Sequence, residues 1–314
     1  MWNYVSSQMN KIGNYYSKSS NWGKIIIFTL FLIVAVTILK KTTQTEGFIQ
    51  SDQFVIKHGT QMYDQFYANI YDDLVYNDVK DDYEIGKIVS QTKPTSESII
   101  LDIGCGTGHH VNEFSNLKLK AIGLDISEDM VQKSKENYPK CEFKQGDILN
   151  PIAFPAGHFT HITCLYFTLY YFKDKRLFFQ NCMNFLKPGG YLVIHLVNRN
   201  KFDPILPPGN PLIAISPQRY AKERITSTKI KFNDFSYDAD FQLDPKTNTA
   251  TFVEKFKNMN DDKKVRKNVH TFYMETQEEI LNQAKDAGFL LDSKIDLISV
   301  SYEYQYLYIL TKPN

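Results

Sequence analysis

The stretch LDIGCGTGHH, residues 101–110, places glycines at 104, 106 and 108, directly after the acidic residue Asp102. The apolar run 98–103 before it is typical of a buried parallel strand. Glycines at the end of a strand leave the main chain uncovered, so that a ligand can lie against the backbone itself. The stretch therefore predicts a ligand-binding loop at the carboxyl edge of a parallel sheet.

Short apolar segments alternate with helical segments on both sides of this loop. The predicted strands are 98–103, 119–124, 141–144, 161–167 and 191–197. A helix is expected after the glycines, another behind the N-cap residue Ser127, and a third before the turn at Pro188. Such alternation predicts an α/β fold with a doubly wound parallel sheet.

The pattern changes after Asn198. Residues 235–243 alternate strictly between apolar and polar side chains, which indicates a half-buried antiparallel strand. Residues 199–274 are therefore predicted to form an antiparallel β insertion after the fifth strand. A capping box at 276–279 restores the α/β pattern, and two late strands at about 290–298 and 304–311 complete a seven-stranded Rossmann-like sheet.

Two kinds of cofactor use a glycine-rich loop of this type. The dinucleotide fingerprint G-x-G-x-x-G requires glycine at position 109, where this chain has His109. The observed sequence DIGCGTG instead resembles the first motif of the class I S-adenosylmethionine-dependent methyltransferases, and LKPGGYLVI at 186–194 resembles that family's turn into its fifth strand. The insertion is similar to that of small-molecule N-methyltransferases acting on amino sugars.

The resemblance implies a cofactor site for S-adenosyl-L-methionine. It implies that Asp125, after the second strand, binds the ribose hydroxyls, since a carboxylate can accept two hydrogen bonds from a diol. It implies that Asp147 faces the adenine amino group, and that the end of the fourth strand lies beside the methionine part. The implied cofactor-binding residues are Asp102, Gly104, Cys105, Gly106, Gly108, Asp125, Ile126, Asp147, Ile148, Cys164 and Leu165.

The reaction implied is in-line transfer of the sulfonium methyl group to an amine or hydroxyl of an unidentified acceptor, with no metal required. His195, Tyr166 and Tyr170 are the candidate catalytic bases, although a histidine inside a strand is also typical of a satisfied core residue. The tyrosines at 63, 67 and 71 are expected either to form an aromatic lid over the cofactor or to pack in the core. The alternative function is a catalytically silent cofactor-binding or scaffold module anchored to a membrane.

The segment KIIIFTLFLIVAVTILKK, residues 24–41, has an uncharged core at 25–39. As a helix this core extends about 22 Å, against about 30 Å of bilayer hydrocarbon, and the flanking lysines and Trp22 can extend its reach. A single-pass transmembrane anchor at 25–41 is predicted, with the catalytic domain facing the cytosol; a cleaved signal peptide and a buried core helix stay open. The predicted division is a tail at 1–24, the anchor, a linker at 42–52 and a methyltransferase domain at 53–314.

Composition limits the partners. The net charge of +1 gives no basic field for nucleic acid, and the four scattered cysteines indicate neither a zinc site nor a disulfide framework. Residues 199–270 contain 14 Lys and Arg against 9 Asp and Glu. This excess, densest at 263–267, is expected to face phosphate or anionic lipid, or to be a solvated strand edge. A small-molecule or lipid-associated acceptor and a homodimer are the expected partners.

Overall fold

The computed structural model describes residues 20–29, 54–204, 221–232, 234–258 and 264–314. The chain divides into two compact units, Met1–Ile49 and Gln50–Asn314. Of the predicted segments, the linker at 42–52 lies outside the described residues, as does residue 263 of the basic run. The predicted division into domains stays a prediction.

In the first unit, residues 21–29 are helical. Ser20 caps this helix, because its carbonyl accepts from the Lys24 amide at 2.9 Å and its hydroxyl from the Gly23 amide at 3.2 Å. Residues 30–41 of the predicted anchor lie outside the described residues. Within the part of the chain that the structure describes, no helix has the length and apolar character needed to span a bilayer. The predicted localisation as a single-pass membrane protein is therefore wrong.

The second unit is built around a seven-stranded sheet in the order β11-β12-β6-β5-β2-β3-β4. Its strands are β2 (Ile99–Ile103), β3 (Lys120–Asp125), β4 (Glu142–Gln145), β5 (Phe159–Cys164), β6 (Leu186–Val197), β11 (Leu290–Asp296) and β12 (Gln305–Thr311). The first five are parallel, whereas β12 runs antiparallel to both of its neighbours. This is the predicted sheet, and each predicted strand is present to within a few residues.

The helices follow from local signals. They are α1 (Gln65–Val75), α2 (Asp78–Thr92), α3 (His109–Asn116), α4 (Glu128–Asn137), α5 (Lys175–Phe185) and α6 (Gln277–Asp286), with short 3-10 turns at Gly59–Met62, Thr168–Tyr171 and Ile298–Val300. Ser127 caps α4 through the Met130 amide, and Thr276 with Glu279 forms the predicted capping box of α6. Caps satisfy backbone donors that a helix cannot satisfy itself, so these starts were readable from the sequence.

A second sheet has the order β1-β10-β9-β8-β7. Its strands are β1 (Phe54–His58), β7 (Ser227–Lys231), β8 (Phe235–Asp244), β9 (Thr249–Asn258) and β10 (Val265–Tyr273). The antiparallel sheet predicted for the insertion is present. One strand of this sheet was not predicted: residues 54–58 pair in parallel with β10. Five residues carry too little periodicity to show a strand whose partner lies 200 residues away.

The two sheets share one apolar core. Phe178, Phe179 and Leu192 of the parallel-sheet half belong to the same buried cluster as Phe241 and Phe272 of the second sheet. The ring of Phe167, in the turn after β5, lies 5.6 Å from that of Phe272. Burying each such ring stabilises the fold by about 1.5–3 kcal/mol, so the second sheet is held against the carboxyl edge of the first.

Candidate functional site

The three glycines of the loop have different roles. All three have positive φ, which glycine adopts without strain. A Cβ on Gly104 would lie 2.4 Å from a Thr168 side-chain carbon, and one on Gly108 would lie 2.7 Å from the Phe143 ring, so both are needed for packing. A Cβ on Gly106 would meet only the ring of Tyr71, at 3.5 Å. Gly106 is therefore the position where bare main chain faces the site.

Asp125 holds the loop in shape. Its Oδ2 accepts a hydrogen bond from the Gly106 amide at 3.0 Å, and its Oδ1 accepts from the Ser127 amide at 2.9 Å. Burial raises the pKa of Asp125, and these backbone donors partly offset the rise. Because each carboxylate oxygen can accept a second hydrogen bond, both keep capacity for a ligand diol.

Asp102 lies below the loop and not in the open site. It is buried, and Oδ1 accepts from the Thr163 hydroxyl on β5 at 2.7 Å. Burial raises the pKa of Asp102, although His110 and the hydrogen bond from Thr163 both act to lower it. Its visible role is to join β2 to β5 beneath the glycines.

Asp147 and Ile126 lie at the exposed rim. Asp147 follows β4, and its Oδ1 accepts from the Leu149 amide at 2.8 Å in a local turn. Ile126 is 46% exposed directly after Asp125, which is unusual for a large apolar side chain in an otherwise well-packed region. An exposed apolar side chain beside two carboxylates is a suitable surface for a flat, polar-edged ring such as adenine.

Four other predicted cofactor residues have buried side chains: Cys105, Ile148, Cys164 and Leu165. Burial raises the pKa of the Cys105 thiol and of the Cys164 thiol, so both stay protonated. These residues can reach a ligand only through the main chain. Their binding role stays a prediction.

The predicted catalytic residues separate in the structure. His195 is fully buried, its Nδ1 lies 2.7 Å from the Tyr166 carbonyl, and burial lowers its pKa to about 4. Tyr170 is also fully buried, and its hydroxyl accepts from the Val197 amide at 2.8 Å. Tyr166 is partly exposed and has φ +51°. Burial argues against direct contact of His195 or Tyr170 with an acceptor, whereas Tyr166 is partly exposed.

The tyrosine-rich helix α1 lies across the glycine loop. Its Asp72 carboxylate accepts from the Thr107 hydroxyl at 2.6 Å and lies 3.0 Å from His109 Nε2. Just before α1, the Tyr63 carbonyl accepts from the Ser127 hydroxyl at 2.5 Å. Two segments of the cofactor loop region thus hold α1 in place, and Tyr71 covers Gly106. This arrangement supports the lid interpretation for Tyr63 and Tyr71, whereas Tyr67 is buried.

Behind the loop is a buried ion cluster that the sequence reasoning missed, formed by Lys80, Asp81, Glu84 and His110. Lys80 Nζ lies 2.7 Å from Glu84 Oε2 and 3.5 Å from Asp81 Oδ1, while His110 Nε2 lies 3.4 Å from each carboxylate. Although burial opposes the shift, the two acids raise the pKa of His110 to about 10. Asp81, Glu84 and His110 could together ligate a cation. The Lys80 ammonium already supplies positive charge there.

A second polar network, also missed, joins the two sheets. It is the tyrosine–histidine–glutamate chain, formed by Tyr63, Tyr171, His270 and Glu254. The hydroxyls of Tyr63 and Tyr171 lie 2.6 Å apart, the Tyr171 hydroxyl lies 2.6 Å from His270 Nδ1, and His270 Nε2 lies 2.7 Å from Glu254 Oε2. In the sequence, only the polar residues on the buried strand faces could have signalled it: Glu254 on β9, and Arg266, Asn268 and His270 on β10.

Residues 100–190 match the model of a known family, described as a methyltransferase domain. The segment that carries the glycine loop and Asp125 is thus similar to a methyltransferase domain. The predicted enzyme class and its cofactor, S-adenosylmethionine, are thereby confirmed at the level of the domain.

Curated relatives agree. An N,N-dimethyltransferase of Saccharopolyspora spinosa for dTDP-4-amino-2,3,4,6-tetradeoxy-D-glucose is 35% identical over 115 residues, 35% of this chain and 45% of the relative. A Streptomyces venezuelae N,N-dimethyltransferase for dTDP-3-amino-3,4,6-trideoxy-alpha-D-glucopyranose is 30% identical over 142 residues, 42% of this chain and 58% of the relative. The chain thus spans about half the length of these relatives.

Among solved structures, the CcbJ methyltransferase from Streptomyces caelestis has a TM-score of 0.63 at 14% identity, covering 82% of this chain and all of that one. At this identity the likeness shows the fold alone. It extends well beyond the matched segment, so the α/β methyltransferase fold accounts for most of the second unit.

Proposed function

We propose that this chain is an S-adenosylmethionine-dependent methyltransferase that methylates an amine nitrogen on a small molecule of the amino-sugar class. The observation that carries the proposal is the pairing of Asp125 with the Gly106 amide at the open end of β2. This pairing places a carboxylate and bare main chain side by side, within the segment that matches the methyltransferase domain.

The residues of the site fit this cofactor. The Asp125 oxygens suit two ribose hydroxyls, exposed Ile126 suits the adenine face, and Gly106 leaves the space that a nucleoside needs. The Asp147 carboxylate at the rim suits the exocyclic amino group. These assignments are part of the proposal.

When bound, S-adenosylmethionine supplies a methyl group already activated by its sulfonium charge. The protein then has to hold an acceptor in line and exclude water. The ring of Tyr71 lies over Gly106 and keeps solvent away from the glycine loop, which supports the exclusion of water. The turn at 166–171 after β5 carries aromatic side chains that line the space beside the loop.

The acceptor class is drawn from the two curated relatives, whose names specify amino groups on dTDP-linked deoxy sugars. The second sheet packs against the turn that follows β5, through Phe167 and Phe272, and so lies next to the proposed acceptor site. The alternative of a catalytically silent binding module has no specific observation in its favour.

Calorimetry with S-adenosylhomocysteine tests cofactor binding. Asp125→Ala is expected to weaken binding about 100-fold, because it removes a charge-assisted acceptor worth about 1.5–3 kcal/mol. Asp129→Ala removes an exposed carboxylate four residues further on and serves as the matched control, with affinity unchanged. Equal affinities for the two variants would refute the site.

Methyl transfer is then assayed with a dTDP-linked amino sugar and with the same sugar carrying a hydroxyl in place of the amine. Methylation of the amine alone is expected. Cofactor binding without any methylated product from a broad amine panel would favour the silent module.

A further inference from the structure

We infer that Tyr171, supported by His270 and Glu254, accepts the proton that the acceptor amine loses on methylation. This inference rests on the proposed function and adds to it a catalytic residue, Tyr171, and two positioning residues. The tyrosine–histidine–glutamate chain begins at Glu254, which is fully buried. It ends at the site, where Tyr63 and Tyr171 are partly exposed.

The directions of the hydrogen bonds follow from Glu254. Burial by itself would raise the pKa of the Glu254 carboxyl group, but His270 and further donors lower it. The group is therefore ionised and can only accept hydrogen bonds. His270 Nε2 must then donate to Glu254, and in the tautomer that carries its single ring proton at Nε2, Nδ1 is the acceptor. The Tyr171 hydroxyl donates to Nδ1, and the Tyr63 hydroxyl donates to the Tyr171 oxygen.

The contacts around Glu254, at the buried end of the tyrosine–histidine–glutamate chain, fit these hydrogen-bond directions. The Tyr237 hydroxyl donates to Glu254 Oε1 at 2.9 Å, and the Asn268 amide lies 3.4 Å from Oε2. Arg266 Nε donates to the side-chain oxygen Oδ1 of Asn268 at 2.9 Å, and Arg266 pairs with Asp64, directly before α1, at 2.9 Å. A buried carboxylate is costly unless its partners are complete. Here they hold Glu254 in one position behind His270.

The exposed end lies beside the cofactor site. Tyr63 is tied to the loop through Ser127, and the negative charge of Asp125 is among the causes, after burial, of its raised pKa. Tyr171 closes the turn that follows β5, and burial also raises its pKa. Both hydroxyls therefore stay protonated at neutral pH, so Tyr171 acts by passing a proton on and not as a stored phenolate.

Methyl transfer and removal of the amine proton need no group beyond the cofactor, the amine and the residues of the tyrosine–histidine–glutamate chain. The neutral amine nitrogen attacks the methyl carbon, a C–N bond forms, and the C–S bond breaks with its electron pair left on sulfur. The nitrogen, now positively charged, gives a proton to the Tyr171 oxygen while the phenol proton moves to His270 Nδ1. Glu254 stabilises the resulting imidazolium, which later releases the proton to solvent.

Kinetics provides the first test, with the amino-sugar acceptor of the proposed function. Tyr171→Phe and His270→Gln are expected to lower kcat about 100-fold near pH 7, with KM little changed and S-adenosylhomocysteine binding retained. Raising the pH, which deprotonates the amine in solution, should restore part of the rate in both variants. His161→Gln, another buried strand histidine, is the control, with the wild-type profile expected.

If both chain variants bind S-adenosylhomocysteine and keep the wild-type kcat and pH profile, the inference is refuted while the proposed function stands. Should His270→Gln fail to fold, Tyr171→Phe removes a single oxygen and decides the kinetic test.

A second test needs no acceptor. Nitrogen NMR of the histidine rings in wild-type protein with S-adenosylhomocysteine should show His270 protonated at Nε2 and unprotonated at Nδ1 at alkaline pH. A His270 ring protonated at Nδ1 would contradict the assigned hydrogen-bond directions and overturn the inference. If the wild type methylates no amine, the proposed function fails and the inference fails with it; the spectrum then reports only whether the hydrogen bonds run in the assigned directions.

Discussion

A histidine is buried beside a carboxylate in both the ion cluster behind the glycine loop and the tyrosine–histidine–glutamate chain. The two groups differ in whether they reach the partly exposed site. In the cluster, Lys80 and His110 face Asp81 and Glu84, so positive and negative charges are balanced. In the chain, one carboxylate faces one histidine, and the histidine continues through Tyr171 and Tyr63 to the partly exposed site.

The difference shows how to distinguish a structural from a functional buried charge. The ion cluster has balanced charges, and its visible effect is to join α2 to α3. A group with an open end can exchange a proton with whatever enters the site. The cluster should therefore affect stability most, and the chain should affect catalysis most.

The largest expected effect is on the closed cluster. Glu84→Ala should lower the free energy of unfolding by about 3–5 kcal/mol, because it leaves Lys80 buried with one partner fewer. Urea denaturation measures this. Glu97→Ala, on an exposed carboxylate, should change stability by less than about 0.5 kcal/mol. A loss for Glu84→Ala no larger than the control's would mean that the cluster does not hold α2 in place.

The pH dependence of stability is the next largest effect. The folded pKa of His110, about 10, lies above its unfolded value near 6.5. Its stabilisation is therefore complete below pH 6.5 and is lost as the pH rises towards 10, at up to about 1.4 kcal/mol per pH unit. His110→Gln should flatten this decline in chemical denaturation between pH 6.5 and 9. An unchanged slope in the variant would contradict the charged state of His110.

A smaller stability effect is expected at the open chain. Glu254→Gln should cost about 1–3 kcal/mol, because the amide keeps the shape but disturbs one buried hydrogen bond. Its kcat should nevertheless fall more than that of Glu84→Gln when both are assayed well below their unfolding transitions. The comparison fails if the two variants show the same ratio of lost activity to lost stability.

The smallest effect concerns the contact between α1 and the loop. Asp72→Asn should weaken S-adenosylhomocysteine binding about 2–5-fold, since it removes a partly exposed ion pair worth at most about 1 kcal/mol. Calorimetry measures the affinity. Asp73→Asn, on the neighbouring exposed carboxylate, serves as the control and should bind like the wild type. Identical affinities would show that α1 is held without Asp72.

Sequence reasoning succeeded where the signals were short and local. The glycine loop, the Ser127 cap and the presence of the parallel strands each depend on a few neighbouring residues. It failed for 54–58, whose parallel pairing with β10 depends on a distant strand. The predicted membrane anchor was inferred from apolarity alone, and apolar length does not fix whether a segment crosses a bilayer.

The candidate site divides in the same way. The sequence alone predicted the proposed cofactor half, because Gly106 and Asp125 are 19 residues apart and the strand–loop–helix geometry between them brings the two together. Only the tertiary structure decided the proton-accepting half. Tyr63 and Tyr171 are separated by 108 residues, and Tyr171 and His270 by 99. No local propensity brings such residues together; they meet because two sheets bury their apolar faces against each other.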